Sequence, residues 1–416
     1  MYHLYSVLFS GLLVLGFPYL IYRSLREKGY ARSLRERFGL TELAAPDGPS
    51  IWVHAVSVGE VLAVATLLPS LKKAFPDTPI VVSVITVTGR QVATDKLAGV
   101  DAVFYCPFDF AFLVRRVVAR IRPLALVVME TELWPHLLRE CRRAGAVTMI
   151  ANGRISDGSF PRYEAIAGVM KHYLEQVDMF CMQDELYAER IAALGASASK
   201  IKRTGSLKFD ALPQAPSRDG RIVPDGRRIL VGGSTSAGEE AALLSIFESL
   251  RKDYPDLFLV LAPRHAPRFD DVYELARGRD LRIARRSTPN AMPADPDVLI
   301  LDTLGELASL YREADYVFVG GSLANQGGHN IIEPASEGKP VLFGPHMQNF
   351  ADIARSFLEA EAVVQVEDAP ALEAALRELI ESPDRARILG ERARRVVEEQ
   401  RGASERTVNV LKELFA

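Results

Sequence analysis

The sequence predicts an α/β protein with two doubly wound domains, each built on a parallel sheet. Short, continuous apolar runs alternate with helical patterns in both halves, as expected for strands that are covered on both faces. A chain of 416 residues also exceeds one ordinary core. A Pro-, Gly- and Asp-rich stretch at 209–226 is typical of a linker. We therefore predict an N-terminal domain at 38–208 and a C-terminal domain at 227–416, which ends in closing helices.

The bulk composition excludes several classes of function. The 50 Lys and Arg residues are balanced by 53 Asp and Glu, for a net charge of −3, so we expect no nucleic-acid partner. The three cysteines, Cys106, Cys141 and Cys181, are widely spaced, which predicts reduced thiols in a cytoplasmic compartment. The seven histidines also lack ligand spacing, and we predict no metal site.

Residues 1–37 are predicted to form a membrane anchor and a basic juxtamembrane segment. The uncharged apolar run Leu4–Tyr22 would span about 28 Å as a helix, close to the roughly 30 Å hydrocarbon core. Basic residues follow it and none precede it, which is the reverse of a signal peptide and predicts a cytoplasmic C-terminal side. The basic segment is expected to bind an anionic membrane surface. A buried N-terminal helix of a soluble protein and a helix lying on the membrane surface remain alternatives.

The apolar runs define the strands in order. In the first half, the predicted strands are 51–55, 80–85, 102–105, 124–129, 147–151 and 179–182, with helical patterns such as 61–75, 110–121 and 137–144 between them. In the second half, they are 229–231, 258–262, 298–301, 316–319, 341–343 and 363–366, and helices follow at 371–381, 383–399 and 404–415. Ligands of such sheets bind beyond the carboxyl ends of the strands, so the loops there are the candidate site.

The Gly-rich loop at 320–334 is the strongest candidate for a phosphate site. It joins a buried strand to a helix, and glycines let a phosphate approach the backbone and its unpaired N–H groups. His329 would add a donor, and Glu333 in the first turn of the helix could accept from a ribose hydroxyl. The alternative is an ordinary Gly-rich connection with a solvated Glu333.

Glu60 is the candidate general base. Ser57 and Glu60 precede an apolar run with the spacing of a capping box, which is a purely structural alternative. In the functional interpretation, the helix N-terminus keeps the Glu60 carboxylate ionised at pH 7, by roughly 0.3–1 kcal/mol. It could then take a proton from an attacking hydroxyl, an effect typically worth about 10²–10⁴ in rate.

Other charged residues also follow strands. Glu130 and Glu132 would repel each other on a continued strand, so we expect the chain to turn there. Arg90, Arg154 and Arg264 suit an anionic substrate, although each could instead pair with a structural carboxylate. Hydroxyl groups at 234–236 could bind a phosphate or simply cap a helix. No Asp-x-Asp pair follows a strand, so a metal-held nucleotide diphosphate is not indicated.

These motifs together resemble one family, the 3-deoxy-D-manno-octulosonic acid (Kdo) transferases. The likeness rests on segments 53–61, 130–135, 152–156, 205–210, 233–240, 263–265, 302–307, 327–334 and 344–350. The resemblance implies an inverting glycosyltransferase of the GT-B type, with two Rossmann-like domains facing a cleft and an N-terminal anchor. It implies CMP-Kdo as donor, a lipid A precursor (lipid IVA) as acceptor, no cofactor, and a place on the cytoplasmic side of the inner membrane in lipopolysaccharide synthesis.

The resemblance also implies roles for individual residues. Glu60 matches the family's proposed catalytic base. Donor contacts are expected at Ser234, Thr235, Arg264, Gly305, Glu306, Gly328, His329, Asn330 and Glu333. The cleft beside them is expected to be shaped by Arg90, Glu130, Glu132, Arg154 and Lys208.

Two positions depart from the family pattern, and three other functions stay open. Ser236 stands where many relatives have His, which puts one donor contact in doubt. His136 stands where Asn is frequent, and we expect this change to affect loop packing only. The alternatives are a UDP-sugar 2-epimerase, another lipid-sugar transferase, or a non-catalytic nucleotide-binding membrane scaffold. An epimerase needs no anchor, and an enzyme acting on a UDP-sugar should hold a diphosphate.

Overall fold

The computed structural model describes residues 1–415 except 42, 44, 45, 212–221, 290–292 and 294. The chain divides into two compact units, Met1–Ala211 with Arg401–Ala416, and Leu212–Gln400. Most of the predicted linker at 209–226 lies outside the described residues.

The first unit is built on a seven-stranded sheet with the order β3-β2-β1-β4-β5-β6-β7. All its recorded pairings are parallel. Its strands are β1 (Ser50–Ala55), β2 (Ile80–Val84), β3 (Ala102–Tyr105), β4 (Pro123–Met129), β5 (Val147–Gly153), β6 (Met179–Met182) and β7 (Ile201–Arg203). Its helices are α1 (Tyr2–Arg26), α2 (Tyr30–Arg37), α3 (Val58–Ala74), α4 (Val87–Lys96), α5 (Ala111–Ile121), α6 (Pro135–Arg143), α7 (Phe160–Glu164), α8 (Ala167–Leu174) and α9 (Glu185–Ala193).

Both faces of this sheet are buried, which explains the continuous apolar runs. Successive side chains of a strand point to opposite faces. Val53 and Val127 therefore enter one hydrophobic cluster, while Trp52 and Leu126 enter the other. Among the described residues, α1 is the one helix long and apolar enough to cross a membrane.

The second unit repeats the same design. Its seven-stranded parallel sheet has the order β10-β11-β9-β8-β12-β13-β14. The strands are β8 (Arg228–Thr235), β9 (Leu257–Pro263), β10 (Ile283–Arg285), β11 (Val298–Ile300), β12 (Tyr316–Val319), β13 (Val341–Phe343) and β14 (Val364–Gln365). The helices are α10 (Glu239–Leu250), α11 (Phe269–Arg277), α12 (Leu307–Leu310), α13 (Ile332–Ser336), α14 (Ala351–Glu359), α15 (Ala369–Glu381) and α16 (Pro383–Gln400); the last helix of the chain is α17 (Ala403–Phe415).

Each sheet has a switch point where its strand order reverses. In the first unit, β1 lies between β2 and β4, so the loops after β1 and β4 diverge. In the second unit, β8 lies between β9 and β12, and the loops after β8 and β12 diverge in the same way. Such a point opens a crevice at the carboxyl ends of the strands, where ligands of this class of sheet bind.

The predicted strands are confirmed, with β8 running past its predicted end at 231 to Thr235. The structure adds β7 and β10, which the sequence did not predict. Both are three-residue edge strands with basic side chains, so neither shows a buried apolar run.

The assignment of the last helix to the C-terminal domain is wrong, because α17 belongs to the first unit. Its residues Val408 and Leu411 enter the same cluster as β1 and α3, and the Phe415 ring packs edge-on against Phe75 at 5.5 Å. The Asp210 carboxylate accepts from the backbone N–H groups of Gly402 and Ser404, both at 2.7 Å. Apolar burial and a capped N-terminus therefore hold α17 on the first unit.

Replacing this cap should loosen α17 selectively. Asp210→Ala leaves two N–H groups without their acceptor, at a cost of about 1–3 kcal/mol. We expect faster hydrogen exchange throughout Ala403–Phe415, measured by mass spectrometry. Asn409→Ala changes an exposed side chain of the same helix and should leave the exchange unchanged. Equal exchange in both variants would contradict the cap assignment.

Candidate active site

Glu60 lies in the first turn of α3, directly beyond β1, and is only 5% exposed. Its Oε2 accepts from the Val56 N–H at 2.8 Å. Its Oε1 accepts from the Ser57 N–H at 3.2 Å and from the Ser57 hydroxyl at 2.9 Å. The Glu60 N–H in turn donates to Ser57 Oγ at 3.4 Å. The capping box predicted from the spacing is therefore present, and it also fixes the position of the carboxylate.

The acidity of Glu60 differs from the prediction. Burial raises the pKa of Glu60 to about 7, against the lowering effect of the Val56 and Ser57 hydrogen bonds, and the nearby carboxylates of Glu130 and Glu132 raise it further. The pKa is therefore higher than the helix terminus alone predicts, because desolvation outweighs it, and the carboxylate is partly ionised at pH 7. A pKa near neutrality suits a group that takes up a proton during a reaction.

The loop after β4 turns at Glu130, as expected. Glu130 has a left-handed backbone with φ 55°, and its Oε2 lies 2.9 Å from Arg154 Nε. The Thr131 hydroxyl donates to the Arg154 carbonyl at 2.5 Å and accepts from the Arg154 N–H at 3.1 Å. Glu130 and Arg154 thus brace the loops after β4 and β5 against each other. Burial, followed by the Glu130 charge, raises the pKa of Glu132.

Two further predicted site residues, Lys208 and Arg90, lie in different parts of the first unit. Lys208 lies in the short 3-10 turn Leu207–Phe209, which is held by the Leu207 N–H donating to Asn152 Oδ1 at 3.0 Å. Asn152 is the second-last residue of β5, so Lys208 lies beside the loop that follows this strand. Arg90, in contrast, is 2.7 Å from Glu36 and lies over the Tyr105 ring at 5.0 Å. Its observed partners belong to α2 and β3, and the structure does not join it to Glu60.

In the second unit, the Gly-rich loop is organised by Glu239, the first residue of α10. The Glu239 carboxylate is 2% exposed and accepts five backbone N–H groups. They belong to Ser236, Gly321, Ser322, Leu323 and Ala324, at 2.7–3.1 Å. Gly320 permits this approach, because a Cβ there would lie 2.6 Å from the Ser234 carbonyl oxygen.

The predicted anion site is therefore only partly open. The N–H groups at 321–324 are occupied by the chain's own carboxylate, and α13 has only five residues. Asn330 Oδ1 accepts from the Ile332 N–H, and Asn330 Nδ2 donates to Glu333 Oε1, both at 3.0 Å. The Gly328 backbone is left-handed with φ 71°. What remains for a ligand is the later part of the loop, at 327–333.

Arg264, His329 and Glu333 form an electrostatically coupled group. Burial and the charge of Arg264 lower the pKa of His329 to about 4. Burial raises the pKa of Glu333, and the hydrogen bond from Asn330 and the charge of Arg264 oppose that rise. The exposed Arg264 side chain forms no ion pair with any carboxylate in the described part of the chain. The group thus offers a cation and a neutral imidazole, a combination suited to an anionic ligand.

The remaining predicted donor residues differ in how far they are exposed to solvent. Ser234 is half-buried with φ 54°, whereas Thr235 is fully buried and contributes its carbonyl, which accepts from the Arg264 N–H at 3.0 Å. Gly305 lies in an open turn with φ 82°. Glu306 is buried and binds Arg286 through both carboxylate oxygens, at 3.1 and 3.2 Å. These contacts assign structural roles to Thr235 and Glu306.

Two features were missed or misjudged from the sequence. Glu239 was not predicted as part of the site, although a strand, a Ser/Thr loop and a following Glu could have indicated a carboxylate that turns back on the loop. The expectation that His136 affects loop packing only is wrong. His136 is buried, and its Nε2 lies 2.8 Å from the Ser6 hydroxyl of α1. It therefore contacts the N-terminal helix.

The two doubly wound units and their switch-point loops define a protein of the GT-B class. Solved structures with this fold include UDP-GlcNAc 2-epimerase from Neisseria meningitidis, with a TM-score of 0.59 and 12% identity over 88% of this chain and 99% of that one. MurG from Acinetobacter baumannii has a TM-score of 0.55 and 13% identity, over 88% and 100%. At such identities the likeness shows the fold alone.

Within this class, the chain belongs to the Kdo transferases and is a glycosyltransferase. The family model of the 3-deoxy-D-manno-octulosonic-acid transferase (kdotransferase) matches residues 32–211. The 3-deoxy-D-manno-octulosonic acid transferase of Haemophilus influenzae is 34% identical over 398 residues, which cover 94% of this chain and 93% of that protein. That of Bordetella pertussis is 35% identical over 393 residues, covering 91% and 90%.

Glu239→Gln should disorder the Gly-rich loop. The glutamine keeps the size of Glu239 but replaces one acceptor oxygen with an NH₂ group that faces N–H donors. Each donor left unpaired costs about 1–3 kcal/mol of stability. We expect faster hydrogen exchange at 321–324 and weaker binding of CMP by calorimetry. Ser236→Ala is the matched control, since the Ser236 N–H donates to Glu239 and the hydroxyl does not. Normal exchange in Glu239→Gln would refute the role of this carboxylate.

Proposed function

We propose that the protein transfers Kdo from CMP-Kdo to a lipid A precursor, with Glu60 as the general base. The observation that carries the proposal is the buried Glu60 carboxylate, fixed beyond β1 with a pKa of about 7. The family relationship supports the Kdo donor and the lipid acceptor.

Glu60 would act on the acceptor. In the proposed step, a sugar hydroxyl of the acceptor gives its proton to Glu60 while its oxygen bonds to the anomeric carbon of Kdo. The bond from that carbon to the phosphate oxygen breaks, and CMP leaves with the electron pair. Attack opposite the leaving group inverts the anomeric centre. Ser57 and Val56 donate hydrogen bonds to Glu60, and these hold its oxygens in one orientation during the proton transfer.

The second unit would hold the donor. CMP-Kdo carries a phosphate and a carboxylate, and Arg264 beside a neutral His329 is suited to bind such anions. Glu333, held by Asn330, is proposed to accept from a ribose hydroxyl. Ser234, Gly305 and Gly328 would line the same donor site. We propose no metal for this reaction, because a monophosphate leaving group does not need the clamp that a diphosphate does.

The first unit would meet the acceptor and the membrane. We propose that the apolar α1 and the basic residues after it hold the enzyme on the cytoplasmic face of the inner membrane, where a lipid acceptor is available. Glu130, Glu132, Arg154 and Lys208 lie on loops near Glu60 and are proposed to shape the acceptor site. We leave Arg90 out of that set because its observed partners are Glu36 and Tyr105.

The fold alone does not separate this function from a UDP-sugar 2-epimerase, because both share the architecture. Competition between nucleotides for the donor site separates the two functions. A Kdo transferase should bind CMP and be inhibited by it, whereas an epimerase or another lipid-sugar transferase that uses a UDP-sugar should prefer UDP. A non-catalytic scaffold would bind a nucleotide without any turnover.

Glu60→Gln should lose Kdo transfer by about 10²–10⁴-fold while keeping CMP binding. The reason is that the amide cannot accept the proton. Ser57→Ala is the control for the capping role, since it weakens the helix cap by about 0.5–2 kcal/mol and keeps the carboxylate. Transfer is measured by product mass and CMP binding by calorimetry. Equal loss of transfer in both variants would make Glu60 a structural cap.

The pH dependence should report Glu60 directly. Because the base must be deprotonated, kcat/KM should rise with pH and level off above about 7. Glu130→Gln removes a charge that raises the pKa of Glu60, so the midpoint should move to lower pH. Ser57→Ala removes a hydrogen bond that lowers this pKa, so the midpoint should move to higher pH. Shifts in the same direction, or none, would be inconsistent with Glu60 as the titrating base.

A further inference from the structure

One face of α1 is half-buried along the whole length of the helix. The half-buried positions are 2, 5, 6, 9, 10, 13, 16, 20, 23 and 24, a spacing with the period of an α-helix. The other faces expose Leu4, Val7, Leu8, Leu12, Val14, Leu15, Phe17, Tyr19, Ile21, Tyr22 and Leu25. At its N-terminal turns this stripe faces the first unit, where Tyr2, Ser6 and Phe9 make contacts.

The N-terminal turns of α1 are attached to the first unit by specific contacts. The Ser6 hydroxyl lies 2.8 Å from Nε2 of the buried His136. The Arg139 guanidinium lies 4.1 Å from the centre of the Tyr2 ring. Phe9 packs edge-on against Phe110 at 5.2 Å. These contacts come from α6 and the entry to α5, so the first turns of α1 rest on the globular unit.

The other end of α1 is attached to the same unit. The Arg23 guanidinium lies 4.4 Å from the centre of the Tyr30 ring at the start of α2. Beyond α2, Phe38 packs against Phe108 at 4.7 Å, and Phe108 also lies 6.5 Å from Phe9. A spanning helix would place its first turn across a hydrocarbon core of roughly 30 Å from the domain that follows it. The contacts of Tyr2, Ser6 and Phe9 with that domain are incompatible with such a crossing.

The outward surface has the composition of an interfacial membrane site. From residue 4 to residue 22 it carries no charged side chain, and the exposed Arg26, Lys28, Arg32 and Arg35 follow at its end. Phe112, which is 61% exposed, stacks on Phe110 beside the docked turns and extends the apolar surface. Apolar area next to basic residues complements a bilayer with anionic headgroups.

We propose that α1 lies in the plane of an anionic membrane surface as a monotopic anchor and does not cross the bilayer. The inference rests on the membrane association in the proposed function and specifies its geometry. The outer face of α1 enters the boundary between headgroups and acyl chains, about 5–10 Å deep. Because α1 is tied to the first unit at both ends, it also fixes the orientation of that unit on the membrane.

A depth series along α1 tests this geometry. Single cysteines replace the exposed Leu4, Leu8, Leu15 and Leu25 in the full-length protein, and each carries an environment-sensitive label. Vesicles of phosphatidylcholine and phosphatidylglycerol in equal amounts contain quenchers at known depths. The in-plane helix predicts one shallow depth, with quenching within about twofold at all four positions. If the label at Leu15 lay deepest in the bilayer and the labels at Leu4 and Leu25 lay near its surface, the proposal would be overturned.

The side of the membrane reached by the N-terminus gives a second readout. Cysteines placed at the exposed His3 and Lys28 should both react with an impermeant maleimide added to inside-out membrane vesicles. Reaction of His3→Cys from the opposite side alone would show a spanning helix. The native Cys106, Cys141 and Cys181 are buried, and the unmodified protein corrects for any labelling of them.

The same preparations distinguish failure of this geometry from failure of the proposed function. Kdo transfer to a detergent-dispersed acceptor measures the reaction and does not require a bilayer. If the protein transferred Kdo in detergent but did not bind vesicles, the membrane geometry proposed here would be wrong and the proposed function would stand. Phe112→Ser adds an independent check, since it should lower vesicle binding severalfold and leave transfer in detergent unchanged. Unaltered vesicle binding would exclude Phe112 from the surface.

Discussion

A buried glutamate at the switch point of each sheet is the constraint around which both units are organised. A carboxylate removed from water must be compensated by hydrogen bonds. Glu239 is compensated by five backbone N–H groups and becomes a fixed part of the loop scaffold. Burial raises the pKa of Glu60 to about 7, against the hydrogen bonds that Val56 and Ser57 donate to it, and two nearby carboxylates raise it further. The same position in the fold therefore supports structure in one unit and, in the proposed mechanism, proton transfer in the other.

This difference links the fold to the proposed chemistry. Parallel strands bring loops from distant parts of the chain to one edge, and the switch point separates them enough to admit a ligand. In the first unit the diverging loops carry Glu60 and Glu130. In the second unit, Glu239 ties the diverging loops together and leaves Arg264, His329 and Glu333 beside them. A fixed backbone with a few free polar groups is the arrangement that electrostatic preorganisation requires.

Local patterns predicted what local interactions determine. The apolar runs predicted the strands because both faces of each sheet are buried, and the Ser57–Glu60 spacing predicted the capping box. Tertiary effects could not be predicted from these local patterns. The pKa of Glu60 depends on burial and on carboxylates of a distant loop, so reasoning from the helix terminus alone did not predict that this pKa is raised to about 7. Four of the five donors to Glu239 lie more than eighty residues away in sequence. Helix α17 returns to the first unit through contacts with α3 and β5.

The central claim is tested most directly by incubating the protein with CMP-Kdo, generated in place, and a lipid A precursor in the presence of EDTA, with the product analysed by mass spectrometry. The account predicts a mass gain of one or more Kdo units and release of CMP, unaffected by the chelator. No mass gain from a preparation that still binds CMP would contradict it, because the nucleotide site would then serve another acceptor or no reaction.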